Sequence, residues 1–176
     1  MSEIWVPTLQ LPDGDDEDEH VKTTFAHYGL AMYHAEVLGH GLVNALAVTK
    51  IIEARDQAEV LIRDPWAQGF KKTMEKLITH VSQQTAADQQ LIDDLNECRA
   101  RRNHLAHAFW RDHAEEFCSY AGRNSMIEKL ESDDALFVGT DKRLAEVMDP
   151  LHGQLGISED LFSATFSKLY REAKGR

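Results

Sequence analysis

The stretch CRARRNHLAHAFWR, Cys98 to Arg111, concentrates side chains that could do chemistry: Arg99, Arg102, Asn103, His104, His107 and Arg111. Arginine offers a planar fork of donors to an anion, and histidine changes charge near neutral pH. These types together suit anion binding coupled to proton transfer. At about 100° per residue, Leu91, Leu95, Cys98, Leu105 and Phe109 fall on one line of a helix. Arg102 falls inside that apolar stripe, about 20° from Leu91. A guanidinium held away from water needs a carboxylate, a backbone carbonyl or a ligand anion. Arg99, Asn103, His107 and Arg111 recur every fourth residue and form a second, polar line on which Asn103 can orient His107. The plainer reading pairs Arg102 with an acid from another helix. Glu36 is then the candidate partner, and the histidines are capping or packing residues.

Other chemistries fit less well. His104 and His107 lie three apart with His113 beyond, but no cysteine or carboxylate completes a zinc site at ligand spacing. None of Glu36, Glu53, Glu75, Glu97 and Glu128 is followed by histidine at the third position, as a di-iron bundle requires. No glycine loop of phosphate-binding type is present. No metal and no cofactor are therefore expected. Cys98 lies on the apolar stripe and reads as core rather than nucleophile, and Cys118 has no evident base.

The elements that must position these residues all read as helices. The first 20 residues form an irregular acidic lead-in, with Pro7, Pro12 and the block DGDDEDE. A helix is predicted from Val21 to Ala54. Apolar residues lie on more than one of its faces, and Gly29, Gly39 and Gly41 suggest that another backbone comes close. Asp64 and Pro65 start a second helix, predicted to reach Gln83. TAAD, Thr85 to Asp88, reads as a capping box for a third that reaches Phe109. DHAE, Asp112 to Glu115, opens a fourth to about Glu131. A shorter helix broken near Pro150 and Gly153 follows, and Ser158 caps a last one to about Ala173. ALFVG, Ala135 to Gly139, is the one strand candidate. The expected fold is an all-α antiparallel bundle of five to six helices, with residues 21–176 forming a single domain.

Composition sets limits on partners. Of 176 residues, 43% are hydrophobic, enough for a real core. The net charge of −11 argues against a general nucleic-acid coat protein but leaves room for a local basic site. The two cysteines show no disulfide framework. The sequence shows neither a basic start followed by an apolar run nor about 18 consecutive apolar residues, so a cytoplasmic protein without a membrane span is expected.

RNHLAH, Arg102 to His107, fits the Arg–x(4 to 6)–His signature of the HEPN superfamily, with a polar residue directly after the arginine. The placement of this motif late in the third main helix, the AFW that follows it and the phrase FAHYGLAMYHAEVLGHGLVNAL, Phe25 to Leu46, also resemble HEPN proteins. The resemblance covers about residues 22 to 135, and the segment from about 136 is unmatched. It implies a homodimer whose two motifs share a cleft, and metal-independent endoribonuclease activity leaving 2′,3′-cyclic phosphate and 5′-hydroxyl ends. On this chain it implies that His107 acts as general acid or base, that Arg102 binds the scissile phosphate and that Asn103 positions either. Arg99, His104 and Arg111 would contact substrate, and with Arg101 and His113 make the cleft locally positive. HEPN nucleases often occur in defence or toxin–antitoxin settings, where a protein partner inhibits them. Other members are non-catalytic nucleotide- or protein-binding modules, and that is the alternative function.

Overall fold

The structure is a computed structural model that describes residues 17–56 and 65–156. Every regular element among them is an α-helix: α1 (Glu17–Asp56), α2 (Pro65–Gly69), α3 (Met74–Gln84), α4 (Gln89–His107), α5 (Phe109–Asp112), α6 (Ala114–Phe117) and α7 (Tyr120–Gln154). The fold is an all-α helical bundle. The chain divides into two compact units. The first holds the described residues up to His40 together with Gln89–Lys142. The second holds Gly41–Asp88 and the described residues from Arg143 onward. The expected helix from Ser158 and the cap at Asp64 lie outside the described residues.

In the first unit the core is built from Ala31, Ala35 and Leu38 of α1, Leu91, Leu95, Cys98 and Leu105 of α4, Phe109 of α5, and Met126, Ile127, Leu130 and Phe137 of α7. The predicted apolar stripe of α4 is therefore its buried face. A polar column accompanies this core. His20, His27 and His34 recur every seven residues along α1 and are all buried. His20 Nδ1 accepts from Arg123 Nε at 3.1 Å, so its Nε2 carries the proton and donates to Asn124 Oδ1 at 2.8 Å. His27 lies 3.8 Å from Glu131, and His34 contacts Asp134. Burial pushes the His27 imidazole below its usual pKa, against the opposing pull of Glu131 and Asp134.

The second unit packs Leu42, Val43 and Leu46 of α1 with Leu77, Ile78 and Val81 of α3 and with Leu144 and Met148 of α7. Gly69 ends α2 against α1, where a Cβ would sit 2.7 Å from Val43 Cγ1. Gly156 follows α7 with φ +70°, the left-handed turn that ends many helices.

Several boundaries differ from the sequence prediction. Residues 17–20 are helical rather than irregular, since Glu17, Asp18 and Glu19 sit in the first turn of α1, where acidic charge suits the helix dipole. The predicted second helix is two, split between Gly69 and Met74. Thr85 closes α3 instead of opening α4, and its hydroxyl accepts the Ala87 N–H at 3.2 Å. ALFVG is helical, and α7 runs unbroken past Glu131 and through Pro150 because Phe137, Leu144 and Met148 bury one of its faces. A Cβ on Gly29 or Gly39 would meet nothing within 4 Å among the described residues, so none of these brings a backbone close to those glycines. α1 does contain a window long and apolar enough, by length and composition alone, to cross a membrane. Glycine, alanine and histidine interrupt its larger apolar residues, and 44% of the window is buried within the protein.

Candidate functional site at the end of α4

The last turn of α4 separates two kinds of side chain. Leu105 and, one step beyond the helix, Phe109 are buried, while Asn103 and His107 are exposed. The helix ends at His107 because Ala108 leaves helical geometry (φ −131°, ψ −28°) and the chain re-enters as the short α5. A helix end leaves carbonyls without intrahelical donors. Here Ala108 N–H donates to His104 O at 2.9 Å, and the Tyr28 hydroxyl of α1 donates to Leu105 O at 3.0 Å. Tyr28 thus secures the turn that carries His107.

Arg102 does not enter the core. Its side chain is 36% exposed, and Nη2 donates to Glu36 Oε1 of α1 at 3.0 Å. Glu36 is itself 52% exposed, so the pair stands at the surface. A long arginine side chain can start from an apolar stripe and still carry its charged head to water. Among the described residues the rest of the guanidinium carries no other hydrogen bond, which leaves most of the fork open. Asn103 and His107 likewise make no side-chain hydrogen bond among the described residues.

The arginine with a buried partner is the preceding one. Arg101 Nη1 donates to Asp133 Oδ1 of α7 at 2.7 Å, and its Nε to Glu97 at 2.8 Å. Asp133 is buried, and these two carboxylates hold the Arg101 guanidinium above its usual pKa.

The other predicted site residues scatter. Arg99 is half-buried on α4. Arg111 lies on α5, beyond the break at Ala108, so the polar line of every fourth residue does not extend to it. Arg111 Nε donates to Asp112 at 3.1 Å, and His104 Nε2 lies 3.4 Å from the other oxygen of the same carboxylate. Arg111 first, then His104, holds Asp112 below the usual carboxylate range. His113 sits 3.1 Å from Glu116, which Lys129 also binds at 2.9 Å. The expected local positive charge is therefore largely neutralised: Arg101, Arg102, Arg111, His104 and His113 each face a carboxylate.

Cys98 is fully buried and its thiol donates to Thr140 Oγ1 at 3.4 Å, while burial pushes its pKa up to about 11, which makes it core. Among the described residues no three His, Cys, Asp or Glu side chains are grouped to hold a metal ion.

Sequence reasoning missed an aromatic group beside the motif. Phe25 and Tyr28 of α1 meet Trp110 of α5 with ring centroids 4.7 and 5.0 Å apart, and Phe117 closes on Trp110 at 5.6 Å. The spacing of Phe25 and Tyr28 by one helical turn was the available signal. No protein-family model, curated protein or solved structure matches the chain.

Proposed function

We propose that this protein is a metal-independent endoribonuclease of the HEPN type. The observation that supports this reading best is that Asn103 and His107 are exposed and Arg102 is half-exposed on the last turns of α4, with most of the Arg102 fork open. An exposed ion pair contributes only about 0–1 kcal/mol, so the fold has little need of Arg102. Its use is sought in what it binds.

In the proposed reaction the ribose 2′-oxygen forms a bond to phosphorus as the bond to the 5′-oxygen breaks. One proton leaves the 2′-hydroxyl and one reaches the departing 5′-oxygen. His107 transfers one of these protons, as an imidazole within reach of the 2′- or 5′-oxygen can. Arg102 binds the non-bridging oxygens and offsets the charge that grows on them. Asn103 orients the phosphate or the imidazole. The open space over Gly29 on α1 leaves room for a second copy, whose own Arg102 and His107 would complete a shared cleft.

The test is incubation of wild type and His107→Ala with total RNA in excess EDTA, followed by mapping of product ends. Cleavage by wild type alone, leaving 2′,3′-cyclic phosphates, is the expected result. No cleavage by wild type refutes the reading. The neutralised cations beside the motif favour a second reading, a non-catalytic protein-binding module, in which neither protein cleaves and both retain the same partner.

A further inference from the structure

We infer that Phe25 and Trp110 form a stacking subsite for a nucleobase of single-stranded RNA, next to the scissile phosphate. The inference rests on the nuclease reading of Arg102 and His107 and adds to it the part of the substrate that is recognised.

Phe25 is 51% exposed on α1, although Thr24 and His27 beside it are buried. Its ring does not lie loose on the surface. It rests on Trp110 at 4.7 Å with a 34° tilt and meets Phe117 edge-on at 5.7 Å. Trp110 is held in turn against buried Phe109 at 5.4 Å, nearly perpendicular. The result is an aromatic shelf with the Phe25 ring half open to water.

The occupant follows from the shelf's surroundings. Trp110 lies three residues beyond His107, and Tyr28 both touches Trp110 and ties the α4 terminus through Leu105 O. Tyr28 therefore connects the shelf to the helix end that carries the motif. The two elements that supply Phe25 and Trp110 each also supply a long, well-exposed cation, while α6 adds Glu115 and Glu116 beside Phe117. Lys22 precedes Phe25 by three residues on α1, and Arg111 adjoins Trp110 on α5. Among the described residues both pair with exposed carboxylates, which a polyanion can displace. Aromatic faces flanked by cations hold single strands by stacking, which tolerates any base because every base has a π face.

The test uses the full chain carrying His107→Ala, so that binding is read without cleavage. Affinity is measured for a short single-stranded RNA and for the same strand with one abasic position, with and without Phe25→Ala. Stacking of a base is worth about 1–3 kcal/mol, so Phe25→Ala should weaken binding of the intact strand roughly 5- to 150-fold. It should change binding of the correctly placed abasic strand little. Phe25→Tyr should retain the affinity. Equal binding by parent and Phe25→Ala overturns the subsite, as does an equal loss on every strand. A Phe25→Ala protein whose sedimentation changes while its RNA affinity does not shows instead that the shelf packs against a second copy. Cleavage by wild type with a flat Phe25 comparison defeats this inference alone. A base-dependent Phe25 effect in a protein that cleaves nothing defeats the nuclease reading alone.

Discussion

Adjacent arginines on α4 should behave in opposite ways. Arg102 meets Glu36 at 3.0 Å with the carboxylate 52% exposed, whereas Arg101 meets Asp133 at 2.7 Å with the carboxylate buried; the two arginines themselves are half-exposed alike. Removing an exposed partner costs at most about 1 kcal/mol, to which the lost packing of the Arg102 stem adds a few tenths. In a chain of this length that lowers Tm by roughly 2–4 °C. Removing Arg101 strands the charge of Asp133 in the core, which costs about 2 kcal/mol or more. Urea unfolding followed by circular dichroism measures both. The expected outcome is a near-native midpoint for Arg102→Ala with RNA cleavage abolished, and a clearly lowered midpoint for Arg101→Ala. A loss of about 3 kcal/mol or more in Arg102→Ala would place that side chain among the supports of the fold and remove the main argument for its catalytic use.

Two further outcomes follow from burial. His27 has its folded pKa depressed below the unfolded value of 6.5, chiefly by desolvation. The unfolded chain therefore binds more protons in that range, so this contribution to stability is present above pH 6.5 and is lost as pH falls through the folded pKa. The stability difference between pH 7.5 and 5.5 should be smaller in His27→Gln than in the parent, and equal differences would show that His27 does not titrate with folding. Cys98 is buried with a thiol pKa pushed up to about 11, while Cys118 is exposed. A disulfide reagent at pH 8 should find one fast thiol per native chain and two after unfolding, and Cys118→Ser should abolish the fast one.

How much of this was legible in the sequence depended on the range of the interaction that decides each feature. The apolar period of α4, the extent of α1 and the start at Pro65 are local patterns, and they were readable. Glu36 could be named as the partner of Arg102 because both stand at definite positions on helix faces. The depth of that pair could not be read. A helical projection gives direction but not how far a neighbouring helix covers an edge, so Arg102 looked buried and the buried partner of Arg101 went unseen. The end of α4 was placed two residues late because Ala108 is no breaker; Tyr28, 77 residues distant from Leu105 in the chain, secures that end. The continuity of α7 through Pro150 likewise depends on tertiary burial, which outweighs a local signal worth about 3 kcal/mol.

The same distinction bears on the histidines. Nine histidines on one chain invite a search for ligands or catalysts, and spacing along the sequence offers no means of sorting them. The structure sorts them by partner. His20 and His34 face polar groups of α7 inside the first unit, where a satisfied imidazole fixes which residues of two helices lie opposite each other. His104 and His113 face carboxylates on the short helices after the motif. His107 is exposed at a helix terminus, and among the described residues its ring has no hydrogen bond, so nothing in the fold accounts for it. A charge of −11 and a row of internally neutralised cations make long-range attraction of a polyanion weak. Binding at this surface must then come from short-range contacts, which here are one open guanidinium, one unengaged imidazole and an exposed aromatic shelf. On the proposed nuclease reading, such a surface would hold single-stranded RNA by short-range stacking and hydrogen bonds more than by its field.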